Sequence, residues 1–140
     1  MSRFVLDNTV TMTWCFSEEA TEFTKALLGR LASLTDSALV PALWLYEVAN
    51  VVELAVRKGR IPAEKAVVFL DSLADLPIQV ENPSPAQVFV TVRKLASQYQ
   101  LTAYDAAYLE LAIRHELPIA SLDKALSRAA RSAGLETVQL

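Results

Sequence analysis

Residues 4–14 read FVLDNTVTMTW. Phe4, Val5 and Leu6 make a short apolar run of the kind that lies inside a sheet, and the run ends on an acid, Asp7. A carboxylate at the end of a buried strand needs a partner, because an unpaired charge is costly there. The same order returns in LPIASLDKALSRAA (residues 117–130), where Ile119–Ser121 lead to Asp123. Other strand-like runs are Ala38–Val40, Ile78–Val80 and a last one over Thr137–Leu140. Between them lie helical patterns: Glu18–Leu34, Leu43–Lys58 stopped by Gly59, a helix from Pro62 to about Leu73, one from Ser84–Pro85 to about Gln98, one from Thr102 to His115, and one opened by Asp123 that ends near Gly134. Strands separated by helices are βαβ units. They predict an α/β fold with a mainly parallel sheet of four to five strands and helices on both faces.

Composition narrows the function. The chain has 140 residues, enough for one domain with a real core, and shows no linker, repeat or low-complexity tract, so residues 1–140 are read as a single domain. Apolar residues make up 53% and charged residues 21%, which suggests apolar surface kept for a partner. The formal net charge is −3, the opposite of a protein that holds nucleic acid on a broad basic face. One cysteine, Cys15, excludes an internal disulfide and a cysteine-cluster zinc site; its apolar surroundings predict a buried, inert thiol. One histidine, His115, excludes a multi-histidine metal centre; at a helix end it is expected to meet terminal carbonyls. No apolar segment is long enough to span a membrane and no signal peptide opens the chain, so a cytoplasmic protein is expected.

Four acids interrupt apolar contexts at equivalent places. Asp7 and Asp123 follow strands; Glu47, in LWLYEVANVV, and Asp105, in LTAYDAAYLELA, lie in the first turns of helices. Each has an ordinary structural explanation. Asp7 and Asp123 can cap helices, Thr102 and Asp105 have capping-box spacing, and Glu47 suits a helix dipole. Topology favours more than that. In an open parallel sheet, strand C-termini and the N-termini of the following helices share one edge. Carboxylates gathered there repel unless a cation joins them, and a hard ion such as Mg²⁺ or Mn²⁺ prefers oxygen ligands. Such an ion lowers the pKa of bound water and offsets phosphate charge. The chemistry implied is metal-assisted phosphodiester hydrolysis, and a bridging ion explains how an acidic protein meets a nucleic acid. Thr9, two residues after Asp7, and Asn50, three after Glu47, are candidate supports for a metal water, a carboxylate or a phosphate; Thr9 is equally a candidate helix cap.

Together, FVLDNTVTMTW, PALWLYEVANVV, LTAYDAAYLELA and LPIASLDKALSRAA resemble the PIN-domain ribonucleases of the VapC toxin type, in order and spacing over nearly the whole chain; the segment around Asp105 is the most specific. The resemblance implies a three-layer α/β/α sandwich, a Mg²⁺- or Mn²⁺-dependent endoribonuclease, a homodimer, and a small VapB-like antitoxin that covers the toxin. It makes Asp7, Glu47, Asp105 and Asp123 an acidic quartet that binds metal and carries catalysis, with Thr9 and Asn50 supporting. Asn8 stands where a small apolar residue is common, and Ser121 where threonine is common.

Basic residues Arg57, Lys58, Arg60, Arg93 and Lys94 are either RNA contacts or a solvated face. Trp14, Phe16, Trp44 and Tyr46 are either antitoxin anchors or core. Two other functions compete. FVLDNTV looks like the opening of a haloacid-dehalogenase phosphatase, but Val5 or Thr9, depending on alignment, occupies a position where that covalent chemistry needs an acid. A PIN-like fold kept only as a binding module is the second.

Overall fold

The computed structural model describes residues 2–139. Four strands form one parallel sheet. β1 (Ser2–Leu6) lies between β2 (Asp36–Pro41) and β4 (Ile119–Ala120), and β2 pairs with β3 (Ile78–Glu81), giving the order β3-β2-β1-β4. The expected fifth strand is only a bridge between Ile119 and Thr137, and Leu140 lies outside the described residues. Phe4, Val5 and Leu6 are all buried, as are Ala38, Leu39 and Val40. Successive strand residues point to opposite faces, so these runs require cover on both sides. The helices provide it: α1 (Asn8–Thr13), α2 (Glu22–Ala32), α3 (Leu43–Arg57), α4 (Ala63–Ala74), α5 (Arg93–Tyr99), α6 (Ala103–His115) and α7 (Lys124–Ser132). The result is the expected layered α/β architecture.

The connections from β1 to β2 to β3 run one way across the sheet, while β4 lies on the other side of β1. The strand order therefore reverses between β1 and β4. In open α/β sheets, that reversal opens a crevice at the strand C-termini. Asp7 and Asp123 follow the two strands that flank it.

Several boundaries follow local chemistry. Gly59 (φ +72°) and Gly134 (φ +86°) take the left-handed turns that end α3 and α7. The helix expected from Glu18 starts at Glu22, because Thr21 and Thr24 form a reciprocal cap there and residues 17–19 make a separate 3-10 turn. Pro62 stands just before α4 as its cap residue. The segment from Ser84 is not one regular helix: Gln87–Val92 is π-helical and leads into α5. Helix α1 is a short addition in the TVTMT stretch, fixed by burial of Val10, Thr11, Met12 and Thr13 and by a 3.0 Å hydrogen bond from Trp44 Nε1 to Thr11 Oγ1.

His115 and Cys15 differ from expectation, and the aromatic candidates divide between core and surface. His115 Nε2 meets Glu81 Oε2 at 2.7 Å rather than a helix carbonyl, because β3 ends beside it. Phe16 and Trp44 are core residues, Phe16 under the Arg60 guanidinium, whereas Tyr46 is exposed. Cys15 is half-buried against the core, and burial pushes its thiol up, away from reactivity. Among the described residues, no helix is long and apolar enough to cross a membrane.

Candidate active site

The β1–β4 ladder places the first acid. Asp7 N–H donates to Ala120 O at 3.0 Å, one step beyond the Leu6–Ala120 register, so Asp7 leaves the sheet beside the chain leaving β4. It occupies the cap position of α1 but makes no capping bond with its side chain. Its carboxylate is claimed from elsewhere: Thr9 Oγ1 and Ser121 Oγ each donate to Asp7 Oδ2 at 2.6 Å. Each hydroxyl in turn accepts a backbone N–H from the turn after β4. Leu122 N–H reaches Thr9 Oγ1 at 2.9 Å, and Asp123 N–H reaches Ser121 Oγ at 3.0 Å. The chain amide–hydroxyl–carboxylate is polarised in one direction, which strengthens each link. Thr9 therefore supports Asp7 and does not cap α1.

Asp123 has two duties. Its Oδ1 caps α7, accepting from Ala125 N–H at 2.8 Å and Leu126 N–H at 3.1 Å, and its backbone joins the Ser121 network. Asp105 lies in the first turn of α6, where its N–H donates to Thr102 Oγ1 at 3.1 Å. Glu47 lies beyond the first turn of α3, so the helix dipole does not account for it. Its Oε1 accepts from the hydroxyl of Tyr108 at 2.5 Å, across from α6.

The four acids lie within electrostatic reach of one another in pairs. Burial pushes the Asp7 carboxyl above its ordinary range, against the pull of its hydroxyl donors, and the Asp123 charge adds to the rise. Burial does the same at Glu47, reinforced by Asp7 and Asp105, and at Asp105, reinforced by Asp123 and Asp7. Among the described residues, no lysine or arginine offsets this at Asp7, Glu47 or Asp105. Among the described residues, however, no three His, Cys, Asp or Glu side chains are drawn close enough to cage a metal. The donor set is carboxylate and hydroxyl oxygen throughout, which suits a hard divalent ion; such an ion takes one or two carboxylates and fills its remaining positions with water.

Asn50 is exposed and, among the described residues, makes no side-chain hydrogen bond to Glu47 or another acid. The amide oxygen of Asn8 is buried beside Asp7 without a partner. Arg57 pairs with Glu53, and Arg60 with Glu18 and Glu19, so these two belong to surface ion pairs. Arg93 and Lys94 are exposed.

The profile of the PIN domain matches residues 4–132. The chain belongs to the PIN-domain family. PIN domains are generally nucleases. A search of curated proteins by sequence gave no significant match. Solved PIN-like neighbours share the fold at low identity. PAE2754 from Pyrobaculum aerophilum is 19% identical with a TM-score of 0.69, over 91% of this chain and 79% of that one. FitAcB from Neisseria gonorrhoeae is 19% identical with a TM-score of 0.65, over 97% and 96%. VapBC2 from Rickettsia felis, solved with a DNA fragment from its promoter, is 14% identical with a TM-score of 0.67, over 97% of each chain. Val5, needed as an acid by the phosphatase alternative, is a fully buried strand residue.

Two participants escaped the motif reading. Ser121 joins Asp7 to the turn carrying Asp123, and Tyr108 joins Glu47 to α6. Their signals were present in the motifs, a hydroxyl two residues before Asp123 and a tyrosine three after Asp105, but neither spacing identifies a partner in another element.

Proposed function

We propose that this PIN domain is the toxin of a toxin–antitoxin pair, a VapC-type endoribonuclease that works with Mg²⁺ or Mn²⁺. The observation that supports it is the set of four carboxylates from separate segments at the crevice beside β1 and β4, where Asp7, Glu47 and Asp105 are pushed above their ordinary range by burial and neighbouring acid charge, Asp123 adding to the rise at Asp7 and Asp105, with no offsetting cation at those three among the described residues. Asp7, Glu47, Asp105 and Asp123 would hold the ion. When bound, it supplies a water of lowered pKa and positive charge beside the scissile phosphate. The chain's own residues do the rest. Thr9 and Ser121 fix one oxygen of Asp7 and leave the other available. Asp123 keeps one oxygen on the α7 amides and presents the second. Asn50, exposed one turn after Glu47, is assigned to the substrate or metal-water side.

The partner is a VapB-like antitoxin, and the working form is a homodimer in the cytoplasm. An apolar cleft of about 650 Å³ lined by Trp14, Cys15, Leu28, Ile61, Phe69 and Leu76 suits an amphipathic antitoxin helix.

Purified protein is expected to cut RNA with Mg²⁺ or Mn²⁺ and to stop in excess EDTA; cleavage that persists in EDTA rejects the mechanism. Mapping cleavage ends in total RNA after brief expression identifies the target. Protein that cuts no RNA yet binds its antitoxin is the binding module instead.

A further inference from the structure

The Glu47 carboxylate is oriented by a side chain from a different helix. Tyr108 is completely buried in α6, three residues after Asp105, and its hydroxyl donates to Glu47 Oε1 at 2.5 Å across 61 positions of sequence. Residues three apart on a helix share a face. Helix α6 therefore reaches the acidic edge twice, with Asp105 itself and through Tyr108.

We infer that Tyr108 is a positioning residue, whose hydroxyl fixes one oxygen of Glu47 so that the other is held toward the cation and substrate phosphate; this rests on the nuclease reading above. The phenol suits that duty. Its ring is locked in the core, so its hydroxyl has little freedom to wander. A phenol keeps its proton near neutral pH, so its hydroxyl is a donor there. A carboxylate on the flexible three-bond stem of glutamate, part-exposed at a surface, would otherwise sample several rotamers. Pre-ordering it removes that loss from the binding of the ion. Partners of this kind are worth roughly 10- to 100-fold in metal affinity or activity.

A core tyrosine whose polar tip simply found an acceptor is the competing explanation, and a double-mutant cycle separates the two. Mn²⁺ affinity by calorimetry, steady-state RNA cleavage, and melting temperature in EDTA are measured for wild type, Tyr108→Phe, Glu47→Ala and the double variant. The expected result is a roughly 10- to 100-fold weaker Mn²⁺ affinity in Tyr108→Phe, with kcat reduced and KM for RNA nearly kept. In the Glu47→Ala background, the same Phe substitution is expected to change Mn²⁺ affinity less than about twofold. Unchanged Mn²⁺ affinity in Tyr108→Phe, or an equal loss in both backgrounds, overturns the positioning role and leaves the nuclease reading standing. Wild type that binds no Mn²⁺ and cuts no RNA overturns both.

Discussion

Asp7 and Asp36 are both buried to 4% exposure, one at each end of neighbouring strands, and the fold treats them oppositely. Asp36 opens β2, opposite Ser2 at the start of β1. Arg30 from the last turn of α2 grips it with two nitrogens, Nε at 2.5 Å and Nη2 at 3.2 Å, and holds its carboxyl below the usual range. Asp7, at the other end of β1, receives two neutral hydroxyls and faces further acids. Glu110, also buried, resembles Asp36: Arg114 holds it and reaches Glu81 as well. Among the described buried acids, Asp36 and Glu110 thus receive a guanidinium and Asp7 does not. A site left short of positive charge is less stable alone and ready to take a cation.

The sharpest way to break that contrast is to remove a carboxylate from the charge-poor edge. Asp105→Asn keeps size and hydrogen-bonding reach, and Asp105 is placed to bind the ion directly. Replacing it is expected to lower RNA cleavage by at least about a hundredfold, the upper range for groups one step further from a metal. Induced expression of wild type arrests growth in this reading, and Asp105→Asn does not. Retained cleavage in that variant would remove Asp105 from the catalytic set.

A smaller loss is expected one step out. Ser121→Ala removes one of the two donors to Asp7 and the acceptor of the Asp123 amide. Mn²⁺ affinity should fall by roughly tenfold, with the melting temperature in EDTA little changed. A large melting loss with unchanged Mn²⁺ affinity would make Ser121 a structural linker of β4 and α7 only.

How far these distinctions could be read in the chain itself depends on the distance between partners. The strands are legible because runs such as Phe4–Leu6 are apolar on both faces, and α6 is legible because Thr102 announces its start. Helix α1 is not, since NTVTMT has poor helix propensity and is too short to stand alone. Burial of its last four residues holds it in place. The acids are legible because each breaks an apolar context. The roles of Ser121 and Tyr108 are not, since their acceptors lie 114 and 61 positions away. Asn50 shows the reverse: of the two supports its spacing from Glu47 suggested, a carboxylate or a metal water, no bond to the carboxylate is made among the described residues, and Asn50 is exposed.

The same isosteric change at the two ends of the sheet should move stability in opposite directions. In EDTA near neutral pH, Asp36→Asn is expected to lower the melting temperature on the order of 5 °C, since it breaks a buried two-point ion pair. Asp7→Asn should leave it equal or higher, because the amide oxygen can still accept from Thr9 and Ser121 while the buried charge is gone. A marked drop for Asp7→Asn would show that its charge is already compensated.

The finest test follows these two variants through pH. Asp36 has a folded pKa below its ordinary 3.8, so wild type's advantage over Asp36→Asn is present above that value and is lost as pH falls through the lower folded pKa. Asp7 has a folded pKa above the same 3.8, so its proton is held more tightly in the folded chain. Its contribution is favourable below 3.8 and is lost as pH rises through the raised folded pKa. Metal-free Asp7→Asn should therefore gain on wild type as pH rises from 3.8 through the raised folded pKa, while Asp36→Asn loses ground as pH climbs out of the acid range. Adding Mn²⁺ at neutral pH should stabilise wild type, because the ion binds the ionised acids of the folded chain, and should stabilise Asp7→Asn less. Melting curves for the three proteins, with and without Mn²⁺, supply the comparison. Parallel pH curves for the two variants would mean that the ends of the sheet do not differ in charge balance, and the edge would lose its claim to be a cation site.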